Sequence, residues 1–307
     1  MSLKDTDSPR EMPDLGRLET DVRRLAVPRH PRSSPEGLRD GEDHIAQELG
    51  AAGLRVERQL FAWHGREYHN VLGTLDGSDA SRPWVVVGAH FDSVAGSPGA
   101  DDNASGVAAL LEAARLLGRG RPAATVQFVG FNLEEIQDYL GNFRIGSRAY
   151  ARWLRRSGQS LAGALVLEML GFTGPKQVAP AAVQLVKRIP KVGNFLAVIG
   201  DGRSRKLLRT FARGADGIVP VETLTVPLKG WLVPDTRRSD NARFWDEGYP
   251  SLMITDTADL RNPHYHRASD RPETLDYPFL GRATAAVVAA VREMAGSRAG
   301  GVMSADG

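Results

Sequence analysis

Residues 88–106, GAHFDSVAGSPGADDNASG, place a histidine and an aspartate at the end of the apolar run WVVVGAH and three further polar groups, Asp101, Asp102 and Asn103, just before VAALLEAARLL. Carboxylates gathered at the end of a buried strand are costly unless a positive charge neutralises them. Further along, ATVQFVGFN runs into Leu133, Glu134 and Glu135, ALVLEML contains Glu168, and SLMITD leads into NPHYHRASD with His264 and His266. His90, Asp102, Glu135, Glu168 and His266 together offer two imidazoles and three carboxylates, a nitrogen and oxygen set that suits zinc. An open catalytic zinc site needs three protein ligands and a water, so five ligands exceed one site. They suffice for two metals if one carboxylate bridges them.

Each residue also has a plainer reading. A lone histidine is ordinarily a satisfied core residue, but His90 has Asp92 two positions on, and that carboxylate can take its second ring nitrogen, as metal-bound histidines usually require. Asp101, Asp102, Asn103 and Ser105 are also suited to cap the helix that follows. Adjacent glutamates usually mark a solvated edge. Directly after an apolar strand they diverge instead, so one can bind metal while the other faces a reacting water. Glu168 lies within an apolar strand, where a metal is the simplest compensation for its charge.

The elements that must position these groups alternate along the chain. WVVVGAH is a continuous β-branched run of the kind covered on both faces, followed by the helical repeat of VAALLEAARLL. ATVQFVGFN, GSRAYARWLRR, ALVLEML, FLAVIG, KLLRTFARGA, SLMITD and FLGRATAAVVAAVREMAG continue the pattern. The alternation predicts a single α/β domain of three layers, αβα, around a mixed, mostly parallel central sheet. Ser34, Pro35 and Glu36 predict a helix start, with the helix ending at Gly53, and LRVERQLFAW and HNVLGTLDG predict two strands after it. Ligands of such sheets bind beyond the carboxyl ends of the strands, where the acidic and imidazole groups fall. The domain is expected over residues 15–295, with loose polar segments at 1–14 and 296–307.

Composition narrows the function further. The formal charge of the 307 residues is +2 and the arginines are scattered, so neither nucleic acid nor an anionic membrane is an expected partner. Cysteine is absent, which removes thiolate zinc sites, cysteine nucleophiles and disulfides together. No apolar run approaches the roughly 18 residues of a membrane span, and MSLKDTDSPREMPD lacks the apolar stretch of a signal peptide. A cytoplasmic location is expected. Composition says nothing about oligomeric state.

The ordered motifs HFDSVAGSPGADDNASG, NLEE, LEMLG, SDNARFWDEGYPSLMITDT and NPHYHRASDRPETLD resemble the double-zinc aminopeptidases of metallopeptidase family 28, over roughly residues 35–295. The resemblance implies the zinc-peptidase fold and two zinc ions bridged by Asp102, one with His90 and Glu168, the other with Glu135 and His266. It implies Glu134 as general base, Asp92 in a catalytic supporting role, and a peptide substrate with a free N-terminus. His266 is preferred to His264 because the family's ligand precedes a small residue and an aspartate, here Ser269 and Asp270. The remaining histidines, His30, His44, His64 and His69, lie outside the motifs. Two positions depart from the family pattern: Asn241 stands where histidine is common, and Glu168 where aspartate is frequent. Three rivals follow from the same fold: a single-zinc acyltransferase like glutaminyl cyclase, a carboxypeptidase or amidohydrolase with Arg144, Arg237 or Arg243 as a carboxylate clamp, and a binding module without metals.

Overall fold

The computed structural model describes residues 12–135 and 143–296. The expected loose segments therefore lie almost wholly outside the described residues. Met12 to Asp14 are described, and Asp14 caps the first helix by accepting the N–H of Arg17.

The chain begins with helices α1 (Leu15–Leu25) and α2 (Pro35–Ala51), then a hairpin of β1 (Arg55–Trp63) and β2 (Arg66–Leu75). There follow β3 (Trp84–His90), α3 (Gly106–Leu117), β4 (Val126–Phe131), α4 (Ile145–Arg156), β5 (Leu161–Glu168) and the single turn α5 (Ala181–Gln184). β6 (Leu196–Asp201), α6 (Arg205–Ala215), β7 (Val221–Val226), α7 (Asn241–Asp246), β8 (Ser251–Thr255) and α8 (Tyr277–Ala295) complete the fold. α2 stops two residues before the expected Gly53, which takes the left-handed conformation at φ 82° just past the helix end.

The eight strands form one sheet in the order β1-β2-β4-β3-β5-β8-β6-β7. β3 lies parallel between β4 and β5, β5 runs parallel to β8, and β6 runs parallel to β7. The pairs β1/β2, β2/β4 and β6/β8 are antiparallel, so the sheet is mixed. Alternation along the central strands divides the core into two layers. Val85, Val87, Leu165 and Leu167 point to the face covered by α1, α2, α3, α6 and α8, while Val86, Ala164 and Val166 meet Tyr150 and Leu154 of α4 and Phe244 of α7. Apolar burial on both faces accounts for the continuous β-branched runs of the central strands and leaves His90 and Glu168 at the ends of theirs. No helix of the described residues is long and apolar enough to cross a membrane.

Candidate metal centre

The parallel register brings the carboxyl ends of β3, β4 and β5 to one edge. His90 pairs across from Phe131, and Glu168 from Thr255 of β8. Beyond those ends the backbone turns sharply: Leu133, Met169 and His266 adopt positive φ of 58°, 52° and 59°. Left-handed conformations at residues other than glycine persist only where the surroundings enforce them, and here each one flanks or forms the acidic cluster.

The loop between β3 and α3 is fixed by its polar side chains. The Asn103 side chain accepts the N–H groups of Gly106 and Met169 and donates to the Leu167 oxygen, tying this loop to the end of β5. The Asp101 carboxylate accepts Gly171 N–H at 2.9 Å and the Asn262 amide at 2.7 Å. Asp270 accepts the N–H groups of Asp101 and Asp102. Ser105 occupies the position before α3 but makes no side-chain cap. Its hydroxyl donates to the Asp101 oxygen and accepts the N–H of Leu170. The polar groups expected to cap α3 thus mainly clamp neighbouring strands.

Within this frame the expected ligands converge. His90 Nε2 lies 3.3 Å from Asp102 Oδ1 and 3.5 Å from Glu168 Oε1. His266 Nε2 lies 3.2 Å from Asp102 Oδ2 and 3.4 Å from Glu135 Oε2. Three groups could hold a cation, with donor atoms within 4.8 Å of one another: His90, Asp102 and Glu168; Asp102, Glu135 and His266; and His90, Glu134 and Glu135. The buried atoms His90 Nε2, Asp102 Oδ1 and Glu134 Oε1 have no hydrogen-bond partner among the described residues, which fits a site built for metal. Ser239 Oγ donates to the other Glu168 oxygen, and the Tyr265 ring stacks on His266 at 3.7 Å. His264 turns away from this group, with Nδ1 3.0 Å from Ser269 Oγ.

The electrostatics are those of crowded buried acids. Burial pushes the Glu134 carboxyl well above its usual range and Glu135 up to about 7. Burial works to lower both histidines but is outweighed: the carboxylates of Glu168, Asp102 and Asp92 raise His90, and those of Asp102 and Glu135 raise His266 to about 10. Burial likewise opposes ionisation of Asp102, yet His266 and His90 hold it well below the ordinary carboxylate range.

Asp92 differs from expectation in what it grips. His90 Nδ1 is nearer to the Asp92 backbone oxygen, at 3.2 Å, than to the carboxylate, at 3.5 Å. The carboxylate accepts the N–H of Glu134 at 2.9 Å and of Glu135 at 3.1 Å. Asn241 is buried and donates to the Thr236 oxygen, and burial pushes neighbouring Asp240 up to about 7.

The motif reading missed Arg29, which is fully buried and donates to the oxygens of Phe91, Val27, Pro98 and Gly99. Beside Glu168 opens an apolar chamber lined by Phe195, Ile199, Leu224 and Met253, with Ser239 and Tyr265 among its walls.

A family model for peptidase family M28 matches residues 70–291, most of the chain and all six of the clustered groups from His90 to His266. The chain belongs to peptidase family M28. The M28 chain is 31% identical to the uncharacterized protein YfbL of Escherichia coli K12, over 88% of this chain and 85% of that protein. It is 30% identical to leucine aminopeptidase 1 of Trichophyton rubrum over 76% of its own length, but spans only 59% of that enzyme. Among solved structures this M28 fold is similar to BSAP, a zinc aminopeptidase from Bacillus subtilis, with a TM-score of 0.69 at 17% identity, covering 92% of this chain and 96% of that one. It is also similar to Macrostomum lignano glutaminyl cyclase, with a TM-score of 0.75 at 17% identity, covering 97% and 96%. At these identities the two structures establish the fold shared by the M28 chain, and its chemistry must be argued from the site.

Proposed function

We propose that this M28 peptidase is a zinc-dependent aminopeptidase that removes the first residue of a peptide with an unblocked α-amino group. The observation that carries the reading is the Asp102 carboxylate, one oxygen of which faces His90 while the other faces His266. Such a carboxylate is suited to bridge two cations. His90, Asp102 and Glu168 would hold one zinc, and Asp102, Glu135 and His266 the other. Bound there, zinc supplies Lewis acidity and lowers the pKa of water.

The chain's own residues do the rest. Glu134, held at its backbone by Asp92, takes a proton from the attacking water and returns it to the departing amine. The surrounding carboxylates attract the substrate's ammonium group. The apolar chamber beside Glu168 receives the side chain of the first residue, which favours an apolar one. The T. rubrum relative, named a leucine aminopeptidase, supports this preference. The second group, Asp102, Glu135 and His266, favours hydrolysis over a single-zinc cyclisation like that of a glutaminyl cyclase.

Metal analysis of the zinc-supplied protein should give two ions per chain, and leucyl chromogenic substrates should turn over while their N-acetylated forms do not. A single ion with Glu135 unligated, or efficient cleavage of acetylated substrates, overturns the reading.

A further inference from the structure

A buried guanidinium ordinarily ends on a carboxylate or on a full set of carbonyl oxygens, because an uncompensated charge in the interior is costly. Arg29 follows the second rule with its four carbonyl acceptors. Arg144 follows neither. It is 6% exposed, yet its Nε has no partner, and its guanidinium makes one hydrogen bond among the described residues, from Nη1 to the Ser239 oxygen at 3.3 Å. The flat group lies 3.8 Å from the centre of the Phe143 ring. Its backbone is held in the left-handed region at φ 58°, a conformation that costs a β-branched or long side chain free energy unless something requires it.

The two neighbouring arginines are committed elsewhere. Arg237 pairs with Asp246 at 2.7 Å, donates to the Lys229 oxygen and covers the Trp231 ring. Arg243 lies 3.4 Å from the same Asp246 and donates to the Phe143 oxygen. Of the three, only Arg144 forms no ion pair among the described residues; Glu134 and Asp240 attract its charge without pairing with it.

Its position gives the spare charge a use. The Arg144 backbone N–H donates to the Glu134 backbone oxygen at 2.7 Å, which fixes the start of its side chain beside Glu134, and Ser239, whose carbonyl the guanidinium touches, holds Glu168 through its hydroxyl. Glu134 exerts the largest attraction on its charge. Arg144 is not part of the apolar chamber that takes the first residue's side chain. In the proposed reaction Glu134 serves the departing amine, and a group beside Glu134 but outside the first residue's chamber is in place to meet the departing residue.

We infer that Arg144 recognises a carboxylate on the substrate residue that follows the scissile bond, which makes dipeptides, or peptides with Asp or Glu in second place, the favoured substrates. The planar fork of a guanidinium matches a carboxylate through two parallel hydrogen bonds. The inference rests on the aminopeptidase reading and deepens it.

The test uses the zinc-loaded full chain and two matched pairs of substrates: Leu-Leu against Leu-Leu amide, and Leu-Glu amide against Leu-Gln amide. The acid of at least one pair should show a kcat/KM about 10- to 100-fold above its neutral partner, the scale of a charge-assisted hydrogen bond. Which pair responds separates a terminal carboxylate from a side-chain one. Arg144→Gln should bring the ratio close to one, and Arg144→Lys should retain part of it, since the charge remains and the fork is lost. Ratios near one for both pairs in the wild type, with all four substrates cleaved, overturn the inference and leave the aminopeptidase standing. A ratio that survives in Arg144→Gln assigns recognition elsewhere and also overturns it. Should Arg144→Gln fail to fold, an undiminished ratio in Arg144→Lys does the same. Failure to cleave any of the four substrates overturns both readings.

Discussion

The Asp92 carboxylate grips the backbone of Glu134, accepting its N–H at 2.9 Å, and with its second oxygen takes the N–H of Glu135 at 3.1 Å. One side chain thereby holds the backbone of two adjacent carboxyls to which the proposed mechanism gives different tasks, Glu135 as a zinc ligand and Glu134 as the base. Asp92→Asn places an amide NH₂ against one of these N–H donors, so one hydrogen bond is lost at nearly constant shape. Zinc affinity is expected to fall by about 10- to 100-fold, the usual cost of removing an orienting partner. Competition against a chelating dye measures it, and an unchanged affinity would show that Asp92 does not orient the ligands.

The two glutamates should separate under the same substitution. Glu134→Gln removes a proton acceptor and is expected to leave two zinc ions bound while kcat drops by about 10²–10⁴-fold, with KM changed much less. Glu135→Gln weakens a ligand, so metal content should fall with activity, and added zinc should restore part of it. Near-normal kcat in a fully loaded Glu134→Gln variant would remove Glu134 from the mechanism.

What the sequence discloses about this site, and what it hides, follows from the range of the forces involved. His90, Glu134, Glu135 and Glu168 are visible because each interrupts or ends an apolar run, a local signal that the parallel strands convert directly into a shared edge. The partners of Asp92 are hidden because they are backbone N–H groups some forty residues away, and every residue but proline offers one. The antiparallel entry of β2 beside β4 and of β6 beside β8 is equally silent, since strand order is decided by packing between distant elements. Arg29 lies in the polar stretch VPRHPRSS with no periodicity around it. Only the surplus of acid elsewhere hints that a buried cation is needed.

That cation carries a prediction about stability. Burial pulls Arg29 down to about 10, while the charges of Asp92, Asp270, Asp102 and Glu135 act to keep it protonated. Arg29→Met strips the hydrogen bonds from the buried oxygens of Phe91 and Gly99 and the part-buried oxygen of Pro98, and each buried group left unsatisfied costs about 1–3 kcal/mol. A loss of about 3 kcal/mol or more is expected in the metal-free protein, read as a lower denaturant midpoint by circular dichroism. A midpoint equal to that of the wild type would mean that the loop carrying Asp101 and Asp102 stands without it.

Removing the metals should expose a pH dependence whose sign the site fixes. Burial pushes Glu135, Asp240 and Asp270 up to about 7 from ordinary values of 4.5, 3.8 and 3.8. His266 rises from 6.5 to about 10, its carboxylate neighbours outweighing burial. All four groups hold protons more tightly folded than unfolded, so the metal-free protein loses stability as pH rises through their windows. For the carboxyls the window runs from their unfolded values to about 7, and for His266 from 6.5 to about 10. Asp102, held low by its histidines, acts in the opposite sense, but only at pH values below its ordinary value of 3.8. Zinc reverses the trend because its ligands must be deprotonated: binding releases protons and tightens as pH rises. With chelator present the thermal midpoint should therefore fall between about pH 5 and about pH 9, while the increment produced by excess zinc grows over the same interval. Calorimetric titration in buffers of different ionisation enthalpy should register proton release on zinc binding near neutral pH. A metal-free midpoint that climbs across this range, or zinc binding without proton release, would contradict the charge arrangement around Asp102 and His266.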